Sequence, residues 1–317
     1  MTDVAAIGEL LIDFTCDSTD ADGYPTMTAH PGGAPANYLA ALAKFGMKTT
    51  LLGKVGADAF GNLLVNTLNK AGIGADGIIS DDGCFTTLAF VTLDSSGDRE
   101  FSFARKPGAD TRLDKSELRR DIIDSARVLH FGTLSLTDEP ARSATCAAVE
   151  YAKAGGKLIS FDPNLRKPLW KSLDAAKREM LWGLEHADVV KISDEEVDFL
   201  FGLSPQEGAR HIVRTFGAAL VFVTCGADGC YYESAAASGF VPALSGLNVV
   251  DTTGAGDIFG GSAMYGILKT QKAPAQLNNE ELSDIVRFAC TAAGLSTTRH
   301  GGISSVPEYA EVMARLK

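Results

Sequence analysis

Residues Asp251-Thr-Thr-Gly-Ala-Gly-Asp257 set two glycines and a carboxylate ahead of a run, 258–268, that is apolar or small almost throughout and reads as a long helix. A helix start leaves its first N–H groups without intrahelical partners, and the macrodipole adds partial positive charge there. Gly254 and Gly256 carry no side chain to block approach, so an anion can sit on the N–H groups of Gly254, Ala255 and Gly256. Asp257 then stands beside that anion with a carboxylate able to accept a proton. An anion cradle next to a base points to phosphoryl transfer onto a hydroxyl. The plainer alternative is an aspartate that only favours the helix dipole, with Thr252 or Thr253 as an ordinary cap.

Other polar residues gather near strand ends. Pro31-Gly-Gly-Ala-Pro-Ala-Asn37 opens a helix; Gly32 and Gly33 let a ligand approach backbone, and Asn37 offers donor and acceptor, which suits hydroxyls. Asp13 is an acceptor-only carboxylate able to hold two hydroxyls. In Asp162-Pro-Asn164-Leu-Arg166, Pro163 ends a strand and the polar groups follow, with Arg166 able to hold a phosphoryl group or a hydroxyl. Ser193-Asp-Glu-Glu196 has capping-box spacing; the alternative role for Glu196 is to organise Mg²⁺ through water. Thr224-Cys-Gly226-Ala-Asp-Gly229 follows a very apolar strand and reads either as a strand–turn–strand connection or as a place where a nucleotide approaches, and both can hold.

Two familiar nucleotide signatures fail. Gly72-Ile-Gly74-Ala-Asp-Gly77 matches G-x-G-x-x-G but follows a helix and runs into Ile78-Ile79, so the strand-before, helix-after context is missing. No G-x-x-x-x-G-K-[ST] occurs. The five histidines show no metal spacing, and the six cysteines form no Cys-x-x-Cys pair, as expected of small hydrophobes in a reducing compartment.

Elements must position these groups, and the pattern alternates β-type and helical runs from end to end. Strands are expected at 4–14, 49–53, 128–131, 158–161, 189–192 and 219–224. Helices are expected at 34–45, 59–71, 140–154, 175–184, 205–216, 279–298 and 307–316. Such alternation makes a mostly parallel sheet with helices on both faces, which binds ligands at the carboxyl ends of its strands. One segment departs: 86–93, a turn at 94–97 and 99–103 form a hairpin signature with Phe101 and Phe103 on one face, and 15–27 is polar and turn-rich. We read 14–30 and 85–107 as a small sheet, a lid inserted in a single domain spanning 1–317; the alternative is an edge hairpin.

Net charge is −11 with no block of Lys or Arg, which argues against nucleic-acid and membrane-surface partners. No apolar run reaches membrane-spanning length and the N-terminus has no signal-peptide pattern, so a soluble cytoplasmic protein is expected.

With these residues in view, the chain resembles the ribokinase-like (phosphofructokinase-B-type) sugar kinases over essentially its whole length. The two signatures that carry the resemblance are Gly32-Gly33-Ala-Pro-Ala-Asn37 and Asp251-Thr-Thr-Gly-Ala-Gly-Asp257, in order and well separated. Within the family it looks most like fructokinases, by 87–93, 99–103, 161–170 and 191–196. The resemblance implies a three-layer α/β/α sandwich with a β-sheet lid, and ATP-dependent phosphorylation of a sugar hydroxyl, most simply fructose to fructose 6-phosphate, with Mg²⁺ and often K⁺. It makes Asp257 the base, Gly254, Ala255 and Gly256 the anion hole with Arg166 beside it, and Asp13, Gly32, Gly33, Asn37, Asn164, Phe101 and Phe103 the sugar side. ATP falls to Thr224, Gly226, Gly229 and Gly256. A K⁺ loop would use Asp251 and Thr253 with Ser296, Gly301 and Ser305. Relatives can pair their lids, so a homodimer through the lid is implied too. The family often has Asn where Ser193 stands, which weakens the magnesium role of Glu196.

Alternatives of the same fold are kinases for 2-keto-3-deoxygluconate, ribose or a nucleoside; a keto acid would need a cation such as Arg105 or Arg166. From other classes stand a catalytically dead sugar sensor and a dinucleotide-dependent dehydrogenase. The helix dipole is expected to keep Asp257 ionised at pH 7, leaving it a weak base whose main task is orienting the hydroxyl. Asp257→Asn is expected to lower kcat by roughly two to four orders of magnitude with sugar affinity nearly intact. Steady-state kinetics of that variant decide the point, and wild-type-like turnover would remove Asp257 from the chemistry.

Overall fold

The computed structural model of the chain describes residues 2–93 and 99–316, leaving aside the side chains of 93 and 99–101. A nine-stranded sheet forms the middle layer. In spatial order it runs β13 (Ser238–Pro242), β12 (Gly229–Ser234), β11 (Leu220–Thr224), β10 (Val189–Ser193), β9 (Leu158–Asp162), β8 (Val128–Gly132), β1 (Val4–Ile7), β4 (Thr49–Gly56) and β5 (Ile73–Asp81). Pairing is parallel from β11 through to β5 and antiparallel from β11 to β13.

Alternation along each strand feeds two cores. In β1, Val4 and Ala6 pack into one and Ala5 and Ile7 into the other; in β11, Leu220 and Phe222 oppose Val221 and Val223. The first core is covered by α1 (Ala34–Lys44), α2 (Ala59–Lys70), α8 (Ala255–Thr270), α9 (Asn279–Ser296) and α10 (Tyr309–Arg315). The second is covered by α3 (Arg120–Ser125), α4 (Ala141–Ala154), α5 (Leu173–His186), α6 (Asp194–Phe201) and α7 (Pro205–Phe216). The result is the three-layer sandwich expected from the alternation.

The stretch 4–14 is not one strand. At Gly8, with φ at 153°, the chain leaves the large sheet, and a Cβ there would lie 2.8 Å from Pro35 Cγ. The chain resumes as β2 (Leu11–Thr19) in a second, four-stranded sheet of order β3 (Pro25–Gly32), β2, β6 (Leu88–Leu93) and β7 (Arg99–Ala104). The mostly apolar composition of 4–14 hides this crossing, because the residues on both sides of Gly8 are buried. The polar segment 15–27 lies in the arms of the β2–β3 hairpin, around a turn in which Asp20 Oδ1 accepts from the backbone of Asp22 and Tyr24. The expected turn at 94–97 and the Phe101 side chain lie outside the described residues.

Gly72–Gly77 falls largely within β5, so it opens no helix. All six cysteines are free. Among the described residues no helix is long and apolar enough to cross a membrane.

Candidate active site

The carboxyl ends of the parallel strands and the near end of the small sheet enclose a cleft of about 200 Å³. Its floor is the start of α8. Gly254 sits at the N-cap with φ at 75°, and no side chain caps the helix. A Cβ on Gly254 would lie 3.0 Å from Gly302 Cα and 3.1 Å from Asn37 Nδ2, so glycine is required there for both conformation and space. Asp257 is in the first turn. Gly33 caps α1 with φ at 115°, and a Cβ there would lie 2.5 Å from the Glu9 carbonyl oxygen.

The two ends of the sequence meet in one bond. Asn37 Nδ2 donates to Asp257 Oδ2 at 2.9 Å. Asn37 is buried and its Oδ1 has no hydrogen-bond partner. Asp13, on β2, reaches the same cleft; its carboxylate fills the space a side chain on Gly32 would take. Asn164 has φ at 46°, and Arg166 Nη1 donates to its Oδ1 at 2.7 Å, so both line the cleft from the loop after β9. Phe103 lines it from β7.

Two residues that sequence reasoning gave no role belong to this site. Lys191 on β10 is partly buried, ion-paired to Asp162 Oδ2 at 3.1 Å, and its Nζ lies 2.9 Å from where a Cβ on Gly256 would be. The ammonium therefore stands at the mouth of the anion cradle. Glu9, just past β1, accepts from Ala34 N at 2.9 Å and holds the start of α1. A lysine set between apolar residues, Val189-Val190 and Ile192, in a short β-type run was the available signal for the first. Glu9 was hidden inside the apolar run 4–14.

Electrostatics are set by burial. Burial pushes Glu9 up to about 7, against the backbone N–H bonds that oppose it. Burial also pushes Asp13 up to about 6, with Arg166 pulling the other way and the charges of Asp257 and Asp251 adding to the rise. Asp257 is raised as well: its burial outweighs the hydrogen bond from Asn37 and the nearby Lys191 and Arg166 cations. The expectation that the helix dipole governs this carboxyl is therefore corrected, since loss of water is the larger effect. In the Lys191–Asp162 pair both groups are pushed upward. For the lysine, burial works downward and is overcome by the negative charges of Asp162, Glu196 and Asp257. The 3.1 Å contact with Asp162 favours the ammonium form of Lys191.

Glu196 forms the capping box on α6: Ser193 Oγ accepts from Glu196 N, and Glu196 Oε2 accepts from Ser193 N at 2.9 Å. Its Oε1 also accepts from Leu165 N at 2.7 Å, tying α6 to the Asn164–Arg166 loop. With both oxygens on backbone N–H groups, Glu196 fits a metal held through water better than one held directly. Among the described residues no three His, Cys, Asp or Glu cluster as a metal cage, which suits Mg²⁺ carried mainly by phosphates and water.

Asp251 is buried and joins two loops, accepting from Thr253 N at 2.9 Å and Gly301 N at 3.0 Å. Ser296 ends α9 and donates to Ala293 O; Ser305 donates to Gly302 O. An enclosed carboxylate among oxygen-bearing loops is a fitting donor set for a monovalent cation. Thr224 ends β11 in register with Ser193, on the same sheet edge as the cleft but not lining it. The space a side chain on Gly229 would take is filled by β13 at Val241 and Pro242, so that glycine serves strand packing, while the corresponding space on Gly226 is open. Arg105 is turned away from the cleft onto Asp110, Thr137 Oγ1 and Leu134 O.

A helix-terminal anion cradle, a buried carboxylate beside it and flanking cations on a three-layer α/β/α fold define a phosphoryl-transferring enzyme. The chain belongs to the pfkB family of carbohydrate kinases, whose family model matches residues 1–309. It is 40% identical over 318 residues to fructokinase-2 of Solanum habrochaites, covering 99% of this chain and 96% of that one. It is 41% identical to fructokinase-2 of Oryza sativa subsp. japonica over 313 residues, 97% of this chain and 91% of that one. Among solved structures, fructokinase with bound ATP from Xylella fastidiosa superposes with a TM-score of 0.89 at 30% identity, covering 100% of this chain and 98% of that one. A fructokinase double mutant from Vibrio cholerae O395 in a form with fructose, ADP and potassium ion gives 0.88 at 32% identity, covering 100% and 99%. A dinucleotide-dependent dehydrogenase is thereby set aside.

The sign of the Glu9 shift yields a test. A carboxyl raised from 4.5 to about 7 on folding binds its proton more tightly when folded, so stability falls as pH rises through that window and stays lower above it. A shift of that size corresponds to about 3 kcal/mol. Glu9→Gln keeps an oxygen for Ala34 N–H and removes the charge. It is expected to stabilise the protein by about 1–3 kcal/mol at pH 8, with the gain vanishing near pH 4. Urea denaturation at both pH values measures it, and a pH-independent difference would refute the burial account.

Proposed function

We propose that this sugar kinase is a fructokinase that transfers the γ-phosphoryl group of ATP to the 6-hydroxyl of fructose. The observation that carries the reading is the Asn37–Asp257 bond, which sets a hydroxyl-binding amide against a base at the mouth of an anion cradle. The sugar lies between Asp13, the Gly33 backbone, Asn37 and Asn164, with Phe103 over it. Asp257 orients the attacking hydroxyl and takes its proton as the oxygen–phosphorus bond forms and the bond from phosphorus to the ADP oxygen breaks. In a loose transition state the equatorial oxygens carry the charge, and the N–H groups of Gly254, Ala255 and Gly256 with Lys191 and Arg166 stabilise it.

ATP approaches from the Thr224 and Gly226 side of the sheet edge. Bound Mg²⁺ would neutralise phosphate charge, with Glu196 holding one of its waters. Asp251, with backbone and side-chain oxygens of Thr253, Ser296, Gly301 and Ser305, is the proposed K⁺ site, and it supports the loop that leads into the cradle. The small sheet acts as the lid and is the proposed surface for a homodimer.

A neutral sugar suits the cleft better than a keto acid. Glu9, Asp13 and Asp257 are three carboxyls in its wall, and Arg105 is committed elsewhere, leaving Arg166 for the phosphoryl group. A coupled ADP-release assay over fructose, ribose, 2-keto-3-deoxygluconate and nucleosides, with and without K⁺, tests the reading. Fructose is expected to give the highest kcat/KM and K⁺ to raise it. Preference for the keto acid, or no sugar-dependent turnover, would overturn it.

Lys191→Met is expected to lower kcat by about 10²–10³-fold while the KM for sugar stays nearly unchanged, as for loss of one transition-state charge partner. Lys191→Arg should recover part of the rate. A rise in KM with kcat intact would place Lys191 in ground-state binding instead.

A further inference from the structure

A second and larger cavity, of about 610 Å³, shares Phe103 with the catalytic cleft. It sits between β7, the loop that follows it, and the segment after Arg166. Its volume is that of a small-molecule site.

The charges in its wall do not cancel. Arg105 is buried and occupied by Asp110 at 2.7 Å. Asp138 lies between Arg105 at 3.9 Å and Lys171 at 3.8 Å, and Glu139 pairs with Arg142 at 3.8 Å. Both acids are thereby neutralised. Lys106 and Arg112 remain, and among the described residues neither has an ion pair. The chain as a whole carries −11, so two uncompensated cations facing one cavity run against its average surface.

A second observation is independent of charge. Trp170 lines the same cavity, and its indole N–H is buried without a hydrogen-bond partner. That nitrogen has no surface open to the cavity, so the ring lines the cavity by its carbon face. The indole ring beside it supplies an apolar face for a sugar or a base.

We propose that this cavity binds a small phosphate ester, with its anionic group on Lys106 and Arg112 and its ring against the indole. Because Phe103 belongs to both cavities, the bound ester sets the position of a residue over the sugar cleft. The ester is either the sugar phosphate made in that cleft or another metabolite of the same chemistry.

Trp170 is one of two tryptophans, so Trp182→Phe leaves it as the sole reporter. Full-length protein with that change is titrated with inorganic phosphate, fructose 6-phosphate and glucose 6-phosphate, following Trp170 fluorescence in the presence of saturating fructose. A saturable change is expected with both esters, at least tenfold tighter than with inorganic phosphate. Selectivity for fructose 6-phosphate would identify the product as the source; equal response would identify esters generally. Lys106→Ala/Arg112→Ala should weaken the titration at least tenfold and leave sugar-dependent turnover without ester unchanged. No saturable change, a change abolished by fructose alone, or one that persists in the double variant would overturn the proposal. Saturating fructose fills the sugar cleft on the fructokinase reading, whereas the Lys106→Ala/Arg112→Ala comparison separates this cavity from the cleft whichever sugar is phosphorylated, so the substrate reading stands or falls separately.

Discussion

The bond from Asn37 to Asp257 joins residues 220 positions apart and ties the start of α1 to the start of α8 across the cleft. It can form because Gly254 and Gly302 leave room for the Asn37 amide, and because α1 and α8 pack side by side on one face of the sheet. The close approach of those helices has its own sequence cause. A Cβ on Gly261 would press on the Tyr38 carbonyl oxygen, and one on Gly260 would come within 3.3 Å of the Tyr38 ring. The small residues of α8 are therefore spacing elements that let the starts of α1 and α8 meet at the cleft.

Burial is the constraint that gives the site its electrostatic character. Glu9 is buried and Asp13 and Asp257 are partly buried in the cleft wall, and each is held less acidic than an exposed carboxyl. A carboxylate so desolvated is a stronger proton acceptor than one facing bulk solvent. The same enclosure strengthens the pull of Lys191 and Arg166 on a transferring phosphoryl group. Below the site, Tyr38 stacks on His130 at 3.6 Å between centroids, and both reach Ser160 Oγ, so the floor under Asp162 and Lys191 is filled and hydrogen-bonded.

Much of this was legible in the sequence because it rests on local chemistry. Strand–helix alternation specified the layers, and the capping box at Ser193 and Glu196 formed as its spacing requires. The glycines at 254 and 256 marked the helix start correctly. What stayed hidden depended on tertiary burial. The strand break at Gly8 lies inside a mostly apolar run, Lys191 looks like any strand residue until its neighbours are known, and the helix dipole at Asp257 is visible in sequence while the loss of water around it is not. Gly229 shows the same limit: a missing side chain can admit a ligand or a neighbouring strand, and the packing of β13 against it becomes visible only in the fold.

The break at Gly8 has a mechanical meaning. The chain passes from the large sheet into the small one there, so Asp13 is carried by one sheet and Asp257 and Asn37 are carried by helices of the other layer system. A ligand that touches Asp13 and Asn37 together is a strut between two bodies, and its affinity reports their relative setting. By reciprocity, anything that fixes that setting from outside, including a second copy of the chain laid on the small sheet, changes the affinity for the ligand by the same factor as the ligand changes its own.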